Sequence, residues 1–319
     1  MASDSTPNIA STPASEGTPA PLAPGPSGMY RIFIGPKGLR AGWRILIFLA
    51  ICTALFVGIG RIKPLQHFLQ SLSVKNTMTP LATLAGEGIS ALLVLAAAGI
   101  MTFIDKRSFA DYGLPMNQAF GKRFWQGLPL GFGMLSLLLA VIWELHGFSL
   151  TGLAVSGATA VKYGLLWAVA FFFVGVFEDF SFRGYLQSAL GDGIGFWPAA
   201  LILAVIFGAL HLGNSGEAAF GAVMAASFGL VSAFSLARTG SLWMSFGMHL
   251  SWDWGETYFY GTPDSGITAT GHLFNASFHG RNWLTGGTVG PEGSWLVLPT
   301  LVVWALVIHF LFPAKQADR

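Results

Sequence analysis

Four side chains able to move protons stand in stretches otherwise apolar enough for lipid: Glu178, His211, His249 and Asp253. A carboxylate and two imidazoles can take a proton from water and stabilise an oxyanion. Asp253 follows His249 by four residues, so the two share a helix face, and the carboxylate could orient the ring. The same four groups could also hold a divalent metal such as zinc with one position open. The run FFFVGVFEDFSFRGYLQSAL, 171–190, carries Glu178 beside Asp179 and Arg183. At about 100° per residue, Asp179 and Arg183 fall on one face and are expected to pair, which leaves Glu178 without a local partner and free for chemistry. Phe207 lies one turn before His211 and could wall the site. A lone helical histidine is often a satisfied core residue. Inside a bilayer, however, every ionisable group needs an internal partner, so three helices each carrying such groups point to one shared polar cluster.

The elements that position these residues follow from composition. The 319 residues are 53% hydrophobic and 10% charged, with mean hydropathy +0.60. A soluble domain carries about 25% charged residues, so this chain is expected to be an integral membrane protein. Its net charge of +2 argues against nucleic acid as a partner. One cysteine, Cys52, allows neither an internal disulfide nor a thiolate metal site. The 41 glycines suit close helix packing in lipid.

Residues 1–28, rich in Pro, Ser and Thr, are expected to form a disordered tail with no signal-peptide pattern, and 29–319 a single transmembrane domain. Eight apolar runs follow, at roughly 43–60, 81–104, 124–145, 161–188, 196–211, 217–237, 240–260 and 293–312, each near spanning length. The expected fold is thus all-α: a polytopic bundle of about eight transmembrane helices. Lys and Arg are concentrated in the segments that are inside if the N-terminus is inside, which puts both termini in the cytoplasm. The polar, Gly-rich connection 261–292 could cap a site, but is read in preference as a flexible loop. Glu87 and Glu144 are read as structural or interfacial.

The order Glu-Asp-x-x-x-Arg (178–183), Phe-x-x-x-His (207–211), His-x-x-x-Asp (249–253) resembles the three motifs of the CPBP family, the CAAX-protease and bacteriocin-processing (Abi) intramembrane endopeptidases. The resemblance covers roughly 165–255. It implies a conical catalytic cavity, Glu178 as the base that activates water, His211 sharing that water, and His249 with Asp253 stabilising the oxyanion or binding metal. It implies a structural role for Arg183. The family's first motif has a second glutamate where this chain has Asp179, one methylene shorter, and activity is expected to survive that departure.

The function expected is therefore glutamate-dependent, possibly metal-assisted, cleavage of a membrane-associated or prenylated peptide. Membrane lipid and a peptide or membrane-protein substrate are the expected partners, and a bacterial plasma membrane the expected location. Two alternatives carry less weight. Gly213-Asn214-Ser215-Gly216 matches the Gly-x-Ser-Gly of a rhomboid-like serine protease, but such a match arises easily in a glycine-rich chain and leaves Glu178 unexplained. A non-catalytic scaffold or bacteriocin self-immunity protein would need none of these groups. A proton-relaying transporter is more distant, since no internal repeat is evident.

Overall fold

Lipid offers no hydrogen bonds, so an apolar run that crosses it must satisfy its backbone internally by winding as a helix. The computed structural model describes residue 28 and residues 30–35, 38–213 and 219–313. The expected tail, apart from residue 28, lies outside the described residues. The main helices are α1 (Ala41–Gly60), α2 (Lys63–Leu72), α3 (Pro80–Asp105), α4 (Lys122–Glu144), α5 (Gly157–Asp179), α6 (Phe196–His211), α7 (Ala219–Thr239), α8 (Leu242–Asp253) and α9 (Val297–Leu311). Two of them do not stop at their α-helical ends. α5 runs through a π-helical turn, Phe180–Leu186, into Gln187–Ile194, and α8 runs into a second π turn, Trp254–Tyr260.

Each of the eight apolar runs contains one of these helices. Five rods are long and apolar enough to cross a membrane: α1, α3, α4, α7 and the continuous Gly157–Ile194. α6 and α9 are shorter apolar helices. The start of α3 shows local chemistry setting a boundary: Thr79 Oγ1 accepts from the Ala82 amide, and Pro80 supplies the pre-set φ of a first helical position. α2 is an addition to the expected elements. It is amphipathic and has no buried residue, as fits a helix lying along an interface.

α8 sits at the centre, packed against α4 and α5. Its approach to α4 requires glycine. A Cβ on Gly131 would run into the Met248 carbonyl, and one on Gly247 into the Phe124 carbonyl. Only residues without a side chain let the two backbones come this close. On either side lie aromatic cores. One joins Phe48, Phe180, Tyr185 and Phe246; the other stacks Trp252 on Trp304 at 5.5 Å between centroids.

The connection 261–292 departs from the flexible loop expected. It contains β3 (Thr268–Ala269), which pairs in parallel with β1 (Thr77–Met78), and β4 (Phe274–Phe278), which pairs antiparallel with β2 (Phe148–Leu153). The strand partners of β3 and β4 are more than a hundred residues distant, which a local pattern cannot reveal. The loop is a folded lid, and two of its acids reach the site below.

Candidate active site

The motif residues converge on one cavity of about 290 Å³. α5 brings Glu178, α6 brings Phe207 and His211, and α8 brings His249 and Asp253. Glu178 is a quarter exposed at its side chain, and its Oε2 stands 3.7 Å from His249 Nε2. Asp253 Oδ2 faces the same nitrogen at 3.5 Å. His249 itself is 6% exposed, with Phe228 against its ring at 5.2 Å between centroids.

The residue that holds the His249 ring is Asp179, where sequence reasoning had assigned orientation to Asp253. His249 Nδ1 lies 3.2 Å from Asp179 Oδ2, and that bond leaves Nε2 turned towards Glu178 and Asp253. Asp179 is fully buried and is fixed in turn by Ser232, whose hydroxyl donates to Oδ1 at 2.7 Å. The expected pair with Arg183 is present at 3.5 Å. Arg183 has further contacts: its guanidinium lies over the Phe207 ring at 4.1 Å, and its Nε donates to the Gly229 carbonyl at 3.4 Å. Gly229 also makes room for it, since a Cβ there would strike Nη2. Phe207 thus walls the cavity on one face and carries the arginine on the other.

The tautomer of His211 follows from its partner. Its Nδ1 lies 2.8 Å from the Phe207 carbonyl, one turn back. A carbonyl can only accept, so Nδ1 carries a proton, and in the neutral ring Nε2 presents a lone pair. That pair is available to a water or an ion in the cavity.

Sequence reasoning undervalued three further acids. Glu87 of α3 and, from the lid, Asp264 and Glu292 all line this cavity. Glu87 carried the same signal as Glu178, a carboxylate at membrane depth, but has no motif around it. Asp264 and Glu292 sit in a polar loop, where an acid is unremarkable until the fold brings it inward. Glu144, by contrast, is exposed at the end of α4, as expected.

A shared metal ion needs three or more donor atoms brought close together. Among the described residues, Glu178, His211, His249 and Asp253 do not bring donor atoms from three side chains within 4.8 Å of one another. As arranged they do not close round one ion, and no step below is routed through a metal. The Ser215 of the serine-protease alternative lies outside the described residues.

With this geometry established, comparison with known proteins becomes specific. Residues 160–255 match the family described as type II CAAX prenyl endopeptidase Rce1-like. The matched segment is similar to a CAAX-type protease. It spans α5 to α8 and includes all three motifs, so the chain is a membrane peptide hydrolase whose matched part contains the helices that build the cavity. No curated protein matches the chain.

Proposed function

We propose that this CAAX-type protease hydrolyses its peptide with water activated by Glu178 and His211. Glu178 takes a proton from a water also held by the His211 Nε2 lone pair, and the resulting hydroxide attacks the scissile carbonyl carbon. The carbonyl electrons move onto oxygen, and His249 Nε2–H donates to that oxyanion. Glu178 then returns its proton to the leaving nitrogen as the C–N bond breaks, giving a carboxylic acid and an amine, between which the remaining hydroxyl proton equilibrates. Asp179 positions His249 through Nδ1, while Arg183 and Ser232 position Asp179. Asp253 supports the second nitrogen of the ring. What supports this reading is the His211 Nδ1 bond to the Phe207 carbonyl, which in the neutral ring leaves Nε2 bare on a residue lining the same cavity as Glu178.

The substrate class follows from the walls. Phe171, Phe207, Phe228, Trp252 and Leu301 line the cavity and suit a peptide bearing an isoprenoid or an apolar membrane segment. We place the protease, as one transmembrane domain over 29–319, in a bacterial plasma membrane with both termini cytoplasmic and lipid around it.

The test is cleavage by the purified full chain in liposomes, with a prenylated Cys-a-a-X reporter and single-span membrane peptides as substrates. Glu178→Gln should fold as wild type and cleave neither, since the amide is nearly isosteric but cannot take the proton. Cleavage by Glu178→Gln at the wild-type rate would refute the assignment. Inhibition of cleavage by a serine-directed covalent reagent would favour the serine alternative.

A further inference from the structure

Beside the catalytic cavity, and independent of the reading just given, lies a second cluster made only of carboxylates. Glu256 stands on the π turn that continues α8, Asp264 on the lid, and Glu292 on the short 3-10 turn Pro291–Gly293 before α9. One oxygen from each lies within 4.8 Å of the other two.

Glu256 is the informative member. It is 0% exposed, and neither of its side-chain oxygens has a hydrogen-bond partner among the described residues. A buried carboxylate without a partner is among the costliest arrangements a fold can hold. Its two neighbours are tied elsewhere. Thr257 Oγ1 donates to Asp264 Oδ2 at 2.9 Å; Ser265 Oγ and Trp252 Nε1 donate to the two oxygens of Glu292 at 3.1 and 3.0 Å. These bonds fix how the acids point without neutralising them. Among the described residues, no lysine or arginine forms an ion pair with any of the three.

We propose that Glu256, Asp264 and Glu292 bind a hard divalent cation, calcium by preference, that fastens the lid to the end of α8. The donors are all oxygen, with no imidazole or thiolate, and such a set favours calcium or magnesium over zinc. Ligand number separates those two. Calcium accepts about 6–8 oxygens in flexible geometry, whereas magnesium keeps several waters and is held through one or two carboxylates. Three carboxylates gathered at one place fit the former. Because Asp264 and Glu292 also line the catalytic cavity, an ion here would hold one wall of that cavity in place.

The test uses the purified full chain in detergent. Calcium binding is measured by calorimetry, and the melting temperature in calcium is compared with that in chelator. Wild type should bind one calcium and melt higher with it. Glu256→Gln and, separately, Asp264→Asn should each weaken binding at least about tenfold and lose the thermal response. Glu178→Gln should keep both, which separates this site from the catalytic one. Should Glu256→Gln fold poorly, Asp264→Asn, altered on the lid, carries the test. A wild-type protein indifferent to millimolar calcium overturns the proposal, and so does calcium binding undiminished in both variants. Melting of Glu256→Gln above wild type in chelator, in a protein indifferent to calcium, would identify shared protons as the occupant.

Discussion

Removing either partner of the Asp179–Arg183 pair should destabilise the protein, but by unequal amounts. Breaking a buried ion pair from one side costs about 3–5 kcal/mol, most of it for the charge left behind. In Asp179→Asn the abandoned group is Arg183, 3% exposed, with no hydrogen-bond partner at Nη1 or Nη2 and one long bond at Nε. The Phe207 ring offsets about 2 kcal/mol of this. In Arg183→Met the abandoned group is Asp179, which keeps two donors, Ser232 and His249. Hydrogen bonds to a charged group contribute about 1.5–3 kcal/mol each. The arginine variant should therefore lie at the low end of the range, and the aspartate variant about 1–2 kcal/mol worse. Chemical unfolding in mixed micelles, run on both single variants and the double variant, measures each loss and their coupling. Gly229→Ala, which pushes into Nη2, should resemble Arg183→Met. Equal losses, a reversed order, or a coupling energy near zero would refute the reasoning.

Two other outcomes follow from packing and from the α3–α4 connection. Gly131→Ala should force α4 and α8 apart, because its methyl meets backbone carbonyl and the Ser251 hydroxyl; a loss of about 1–3 kcal/mol, with reduced cleavage, is expected in melting and activity assays. In the connection between α3 and α4, Asp111 Oδ2 accepts from the Ser108 amide at 2.7 Å and its hydroxyl at 2.8 Å. These bonds, the backbone one first, hold its carboxyl below the usual carboxylate range. A lowered pKa contributes stability that is present above the unfolded value and lost as pH falls through the folded one. The small melting advantage of wild type over Asp111→Asn should therefore persist at neutral pH and vanish on acidification below the ordinary carboxylate range.

The helices were legible in the sequence because a bilayer makes apolar length nearly sufficient for a helix, and 43–60, 124–145 and 196–211 each contain one. The grouping of Glu178, His211 and His249 was legible for a related reason: buried ionisable groups need one another. What the sequence concealed depended on distance along the chain. The pairing of 274–278 with 148–153 has no local signature, so the lid read as a loop and its two acids went unnoticed. Asp253 was visible as a His249 partner through helical spacing, whereas the second partner, Asp179, arrives from another helix and was not. α2 escaped notice because ten residues with a polar face resemble a connection.

The π turns after Asp179 and Asp253 place a demand on chain length that is separate from residue identity. Each wide turn accommodates backbone that an α-helix would wind more tightly. A further residue inserted within 180–186, where the wide turn already takes up the slack, would swing everything beyond it by about 100°. Ser188 would then turn away from the Arg107 side chain, and Tyr185 from Asp105, although every functional group remained in the chain. Across proteins built on this plan, the count of residues between the acidic pair and the end of that helix should resist insertion and deletion even where the residues themselves vary freely.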